Sequence, residues 1–282
     1  MPPLIRIQEE LRDLSAMQFV AGAFAEVSTK KLQREKAAFE NSQSFYKEIR
    51  HLYALVRVGA AEPSTRIVAG PRISIALTSN HRFYGTLNRD VITSFLEGLW
   101  RSGGEGLVIG RTGKLLLDRT AYAGRVPTLM FADDIPTEGE FKLLLERLAP
   151  YTGAYFHYPQ FVTVLTQTVV ELDITEDVET DVDVEAESDP DRTHILEPEF
   201  DELVQFFETA VRRFLLSRVM FEAEVARTAA RMVAMSEAED RAGVAIRERR
   251  GAARKMYESI QSMRLLETVI LLSKWRNTTT TP

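Results

Sequence analysis

From Glu199 to Ser273 the chain contains no proline, and its only glycines there are Gly243 and Gly251. Turn residues are what end helices and reverse strands, so a stretch this long without them reads as one helix. At about 1.5 Å per residue it would extend roughly 110 Å, whereas an ordinary globular helix has some 11 to 12 residues. Such a helix has to bury its apolar side against something. Leu203, Phe207, Ala210, Phe214, Phe221, Val225, Ala229, Met232, Met235, Ala242, Ile246, Ala253, Met256, Ile260 and Met263 form a stripe at spacings of mostly three and four. Small residues near its middle, in ARTAARMVAMSEAEDRAG (226–243), would let a partner helix approach closely.

The other end of the chain offers that partner. Residues 4 to about 57 have no proline and one glycine, Gly22, the place where an interruption is expected. Leu4, Ile7, Leu11, Leu14, Ala21, Phe24, Phe39, Phe45, Ile49, Leu52 and Leu55 recur at mostly helical spacing. Two such helices bracketing a compact middle predict an antiparallel coil of the chain's two ends. A helical bundle or an α-solenoid arm is the alternative, and no internal repeat supports the solenoid.

Between them the pattern changes. After Pro63, Gly70 and Pro71 come RISIALTS, a glycine-containing turn and the helix-like LNRDVITSFLEGLW. Then follow GLVIG, a turn, LLL, PTLMFADD, the helical EGEFKLLLERLA, and the strand-like YFHYPQFVTVLTQTVVELDI. Strands interleaved with helices predict a Rossmann-like layer. The fold class expected is therefore α/β: a long antiparallel coiled coil of the N- and C-terminal helices plus a central Rossmann-like α/β domain. The boundaries expected are 1–60 for the N-terminal helix, 68–175 for the α/β domain, 176–194 for an acidic loop and 195–276 for the C-terminal helix.

Composition narrows the chemistry. The absence of cysteine excludes disulfides, thiolate zinc sites and cysteine nucleophiles, and four histidines leave little for a metal centre. The N-terminal MPPLIRIQEELRDL is charged from its sixth residue, so it is expected to be neither a signal peptide nor a membrane span. The formal net charge of −6 is concentrated: residues 171–191 hold eleven carboxylates and no Lys or Arg. The remainder has 30 acidic and 35 basic residues, a mildly basic body of +5. The acidic segment reads as a solvated loop; it lacks the glycine and spacing of an EF-hand calcium loop.

No constellation reads as catalytic. GRTGKL (110–115) has Val108 and Leu115 where a phosphate loop needs Gly and Ser or Thr, and is expected to be a β-turn between strands. TSNHRFYG (78–85) joins a strand to a helix but lacks G-x-G-x-x-G, so the domain is expected to bind no dinucleotide and no other cofactor or metal. His81 and Arg82 read as exposed turn residues, with an anion site at that helix start as the alternative. His157, among Tyr155, Phe156 and Tyr158, is expected to pack at a strand edge. Arg241, Arg247, Arg249, Arg250, Arg254 and Lys255 crowd six cations onto a short helical stretch with Tyr257 as the nearby aromatic, too little for a nucleic-acid reading arm.

Ala229 to Met235, AARMVAM, reproduces the centre of a pattern S-E-x-A-A-R-M-x-A-M-x-x-A-x-x-N-A, with Ala238 and Ala242 in register. In this and in other segments the chain resembles the gamma, or central-stalk, subunits of F-type ATP synthases. His194–Pro198 stands where that family has an aromatic and Glu-Pro before its long helix. TSNHRFYGTLN (78–88) resembles its T-S-D-R-G-L-C-G-G-L-N, Phe161–Val170 a strand of its α/β domain, and Val27–Leu32 its M-V-A-A-A-K-L. The resemblance touches both ends and the middle of the chain. There are departures: Ala226 and Arg227 replace Ser-Glu, Arg241 replaces Asn, and Tyr257-Glu258 replace an Arg-Gln pair that grips the catalytic subunits. The lysine-rich face of the family's N-helix has become Phe19, Gly22, Ala25 and Glu26, and Leu265, Glu267 and Val269 are about all that is kept of its terminal signature.

The resemblance implies a rotor shaft that makes and breaks no bonds itself. Its two helices would coil inside a ring of alpha- and beta-type nucleotide-binding subunits, with the α/β domain outside, meeting an epsilon-type small stalk subunit and a membrane-embedded proton ring. It implies a cytoplasmic protein held peripherally on the inner face of the cell membrane, or of the equivalent organellar membrane. No nucleic acid and no direct membrane insertion are expected. By the same resemblance Lys31, Arg231, Arg249, Arg250, Arg254, Lys255, Tyr257 and Glu258 would meet the catalytic ring. Asn80, His81, Arg82 and Asn88 would lie at the base of the stalk. The departures leave two other readings: a paralogous shaft in an ATPase not coupled to a proton ring, and a free-standing coiled-coil binding module.

Overall fold

The computed structural model describes residues 3–58, 70–174 and 200–278. The expected acidic loop and the His194–Pro198 motif lie outside these residues. So do the side chains of Phe45, Ile49, Leu52, Leu55, Leu203 and Phe207.

Both long helices are continuous. Helix α1 spans Pro3–Val58 and passes through Gly22 without a break; helix α5 spans Phe200–Thr278. Between them lie β1 (Arg72–Leu77), α2 (Leu87–Ser102), β2 (Glu105–Ile109), α3 (Arg111–Leu117), β3 (Thr128–Leu129), α4 (Glu138–Leu148), β4 (Gly153–Phe161) and β5 (Gln167–Asp173). The chain divides into two compact units, one of residues 1–27 and 234–282 and one of residues 28–233.

In the first unit the two helices form a coil. Along α1 the shielded positions include Leu4, Ile7, Leu11, Leu14, Gln18 and Ala21, which alternate in steps of three and four. Along α5 they include Ala242, Ile246, Ala253, Met256 and Ile260. A 3.5-residue repeat keeps one seam turned toward a partner. The pairing is antiparallel: Glu10 accepts Arg249 Nε at 3.2 Å, and a Cβ on Gly22 would stand 3.0 Å from the Glu239 carboxylate. Two residues expected in the stripe leave it, since Phe24 is 39% and Met263 59% exposed.

The second unit is built on a mixed sheet in the order β3-β2-β1-β4-β5. Strands β1 to β4 run parallel and β5 returns antiparallel along β4. Strand side chains alternate between faces, and β1 serves two cores. Ile73, Ile75 and Leu77 face a layer containing Leu144 and Leu148 of α4 and Val211, Leu215, Leu216, Val219, Met220 and Ala223 of α5. Ala76 faces Val91, Ile92, Phe95 and Leu99 of α2 and Leu117 of α3. Helix α1 joins through Leu32 and Phe39, which pack with Val225 and Ala229 and with Phe161 and Val164 of the β4–β5 hairpin.

Every residue of α5 from Glu222 to Ala230 is consequently buried. A helix enclosed on all sides has no solvated face: Ala223, Ala226, Ala229 and Ala230 allow its neighbours to approach, and Glu222, Glu224, Arg227 and Thr228 are enclosed with them.

Two local expectations need correction. GRTGKL is no β-turn between strands: Gly110, at φ 103°, opens helix α3, and LLL (115–117) belongs to that helix. The turn is tight because Gly113 packs on Thr78, whose Oγ1 accepts the Gly113 N–H at 3.0 Å. His157 is not at a strand edge. It sits on β4 between β1 and β5, wholly buried, with Ser94 Oγ 3.0 Å from Nδ1 and Phe95 edge-on at 5.9 Å.

Candidate functional site

In open α/β sheets ligands settle where the strand order reverses, beyond the carboxyl ends of the strands. Here that point lies between β1 and β4, and the loops around it carry Ser79, Asn80, Arg111 and Asp134. A phosphate would need their backbone N–H groups, and these are already engaged. Asn88 Oδ1 takes the Ser79 N–H at 3.1 Å, Asp134 Oδ1 the Asn80 N–H at 2.5 Å, Asn80 Oδ1 the Arg111 N–H at 3.0 Å and Asp133 Oδ1 the Asp134 N–H at 2.7 Å. The Asn80 amide nitrogen donates to Phe131 O at 2.9 Å and Asp133 O at 3.0 Å. Asn80 thus stands in the crevice as an internal plug. The arrangement braces three loops against one another and offers a phosphate no free donor among these four groups.

The same crevice abuts α5. Asp134, 5% exposed, accepts the Tyr84 hydroxyl on Oδ2 at 2.7 Å. Tyr84 in turn accepts Arg231 Nη2, whose guanidinium lies 4.4 Å from the Tyr84 ring centroid. One turn earlier Arg227, 1% exposed, donates from Nε (3.2 Å) and Nη2 (2.9 Å) to Glu224 Oε2, and from Nη2 to the backbone oxygen of Asp134 at 3.3 Å. Glu224 Oε1 takes Lys31 Nζ of α1 at 2.5 Å, and Lys31 reaches Glu35 at 3.4 Å. A second link runs from Tyr158 on β4, whose hydroxyl donates to buried Glu222 at 3.1 Å.

Charge states follow from this packing. Burial alone would raise the Glu224 carboxyl, but Arg227 and Lys31 outweigh it and hold Glu224 below the usual range. Burial would lower the Lys31 amine, yet Glu224 and Glu35 keep it raised. Glu35 is pushed up by burial, because Lys31 compensates too little. The Tyr84 hydroxyl is pushed up by burial and by Asp134, so it remains a donor. Removing one partner of such a pair leaves a buried charge uncompensated, at a cost of about 3–5 kcal/mol.

The residues expected to meet partners separate into two groups. Lys31 and Arg231 turn inward onto Glu224 and Tyr84, and Asn80 and Asn88 brace their own loop. Each is held by its own chain because the surrounding buried groups require partners. Arg249, Arg250, Arg254, Lys255, Tyr257 and Glu258 are exposed on α5, Arg249 paired with Glu10. His81 and Arg82 are exposed as expected, and His81 Nε2 meets Asp133 at 3.1 Å. Among the described residues His81, Asp133 and Asp134 are grouped closely enough to hold a cation, their ligand atoms within 4.8 Å, but both Asp134 oxygens already accept internal donors. Sequence reasoning missed Tyr84, Asp134, Glu224 and Arg227. The signal available was the run of charges in FEAEVAR, inside a segment otherwise made of small apolar residues.

The model for the ATP synthase family matches residues 4–256. No curated protein sequence matches the chain. Among solved structures, a chain of the central stalk and c-ring of the Tetrahymena thermophila mitochondrial ATP synthase is 15% identical, with 78% of this chain and 99% of that one covered and a TM-score of 0.56. A chain of the Euglena gracilis mitochondrial ATP synthase (OSCP, F1 and c-ring, rotational state 3) is 14% identical, with 93% and 97% covered and a TM-score of 0.57. At these identities the likeness is one of fold.

Proposed function

Since the chain belongs to the ATP synthase gamma family as a rotary stalk subunit of an F-type ATP synthase, we propose that it is the shaft coupling proton-driven rotation to ATP synthesis or hydrolysis. The observation that carries this reading is the pair of unbroken helices, Pro3–Val58 and Phe200–Thr278, flanking one α/β sheet. A shaft has to carry torque without chemistry, and long helices with a 3.5-residue seam are stiff elements suited to that. The partners proposed are alpha- and beta-type catalytic-ring subunits, an epsilon-type small stalk subunit and a membrane-embedded proton ring.

The exposed Arg250, Arg254 and Lys255, with Arg249, supply a cationic surface for acidic segments of the ring subunits. Tyr257, 54% exposed, and Glu258 stand where the family's gripping Arg-Gln pair would be. Among the described residues no helix is long and apolar enough to cross a membrane. Attachment to the inner face of the cell membrane, or its organellar counterpart, is proposed to run through the partner subunits.

Affinity purification of the tagged chain from its native cells, followed by mass spectrometry, tests the proposal. Catalytic-ring subunits together with an epsilon-type subunit and a proton ring are expected. A catalytic ring without any proton ring would replace it with the paralogous-shaft reading, which Tyr257 and Glu258 favour. Recovery of neither would overturn both.

A further inference from the structure

Arg227 is among the largest fully buried side chains, in a helix segment with no exposed residue. A neutral side chain of similar volume would pack there without the desolvation cost of a guanidinium. What the guanidinium adds is direction: a planar fork whose donors fix their acceptors in one plane. Two of its nitrogens hold Glu224 and one of those also holds the Asp134 carbonyl, while Nη1 has no partner.

Asp134 is where the loops of the α/β domain converge, since its carboxylate takes the Asn80 N–H and the Tyr84 hydroxyl. Helix α5 therefore grips this point twice: directly through Arg227, and through Tyr84 by Arg231 four residues on. Four residues of helix are about 6 Å along the axis. One attachment is a pivot, whereas two attachments separated along the helix define an angle. On its far side Glu224 also carries Lys31, so that α1 is tied to the same joint.

We propose that Arg227 is a positioning residue of this rotary stalk: held between the Glu224 carboxylate and the Asp134 backbone carbonyl, it locks the α/β domain to the long helices at one angle, so that torque passes between them without slip. The proposal rests on the rotary reading above and adds the residue at which the joint is made. It also gives a role to a departure within ARTAARM, where Arg227 replaces the family's Glu. A second carboxylate at 227 would stand three residues from buried Glu224 and repel it.

The test uses the assembled complex in sealed membrane vesicles, comparing proton transport with ATP hydrolysis for Arg227→Met, Arg227→Lys and Tyr84→Phe. Arg227→Met keeps the volume and removes the fork; it is expected to retain hydrolysis while losing transport per ATP hydrolysed. Arg227→Lys, which restores the charge without the fork, is expected to fall between Arg227→Met and wild type. Tyr84→Phe removes the second attachment and is expected to lower the same ratio. In the free full-length chain, hydrogen exchange at Ala132 to Asp134 is expected to quicken roughly 10-fold or more in Arg227→Met, the factor for losing a charge-assisted hydrogen bond, with β1 and β2 unchanged.

An unchanged ratio in Arg227→Met, or transport and hydrolysis falling in equal proportion, would overturn the proposal. Should Arg227→Met not assemble, Arg227→Lys and Tyr84→Phe decide on the same criterion. A wild-type chain that recovers no ring subunits defeats the rotary reading instead, and the exchange measurement still decides whether Arg227 holds the Asp134 loop.

Discussion

A Cβ placed on Gly98 would stand 2.6 Å from Cε1 and 2.7 Å from Nε2 of the His157 ring. Helix α2 and strand β4 approach this closely because the helix has no side chain at 98. The imidazole fills the gap, fully buried, with no hydrogen-bond partner for Nε2.

Gly98→Ala is expected to destabilise the second unit. Ala is the better helix former by about 1 kcal/mol, but forcing a methyl into a packed interior costs about 1–3 kcal/mol, and Ser94 and Phe95 leave the ring nowhere to go. The net loss expected is about 1 kcal/mol. Gly251→Ala, where nothing lies within 4 Å of the added Cβ, is expected to raise stability by about 0.5–1 kcal/mol. Urea denaturation of both variants beside wild type checks the opposite signs; equal shifts would refute the close approach at Gly98.

The same ring makes stability depend on pH. Burial holds the His157 imidazole below its ordinary value of 6.5; Glu171 opposes this and Arg101 adds to it. The unfolded chain therefore binds this proton more readily than the folded one. Its contribution is whole above pH 6.5 and is lost as pH falls from there towards the folded-state value. Between about pH 7 and pH 5 wild type should lose stability relative to His157→Gln. The raised Glu222 carboxyl acts in the opposite sense but is common to both proteins and cancels. Parallel stability curves for the two would contradict the assignment.

Removal of the Asn80 side chain tests the plug in the crevice. Asn80→Ala strips the acceptor from the Arg111 N–H and the donor from Phe131 O and Asp133 O, and a cost of about 1–3 kcal/mol is expected. Asn80→Asp keeps the acceptor but adds a charge beside Asp133 and Asp134, and should lose more at neutral pH than at pH 4. Thermal denaturation at the two pH values distinguishes the variants.

At the start of α4, Thr137 Oγ1 accepts the Glu140 N–H, and the Glu140 carboxylate returns to the Thr137 N–H at 2.8 Å. Thr137→Ala should cost about 1 kcal/mol and Thr137→Ser almost nothing. Exchange protection of the first turn of α4 reports the loss directly.

Much of the architecture was legible in advance because its signals are local. Freedom from proline set the two helices, the three-four alternation of Leu4, Ile7, Leu11 and Leu14 set the face of α1, and short β-rich apolar runs marked β1, β2 and β4. Short elements failed where local signals are weak. GRTGKL looked like a turn, and only the packing of Gly113 on Thr78 turns it into the first residues of a helix. His157 looked like an edge residue because its aromatic neighbours said nothing of β5, which pairs outside it. The exposed cations of α5 could be found from sequence, whereas FEAEVAR marks charges among small apolar residues without telling that Arg227 is buried, since a charge in a helix is ordinarily solvated.

By itself, then, the sequence determined the two long helices, much of the seam between them and the longer strands, all consequences of periodicity and turn chemistry over a few residues. Tertiary structure alone decided which charges are inside. Glu224, Arg227, Tyr84 and Asp134, with the half-buried Lys31 at their margin, are scattered along the chain, and their meeting depends on the sheet, both helices and the β4–β5 hairpin closing around one stretch of α5. Burial removes water from every side of that stretch, so each charge there requires a protein partner, and no local pattern records which partner that will be.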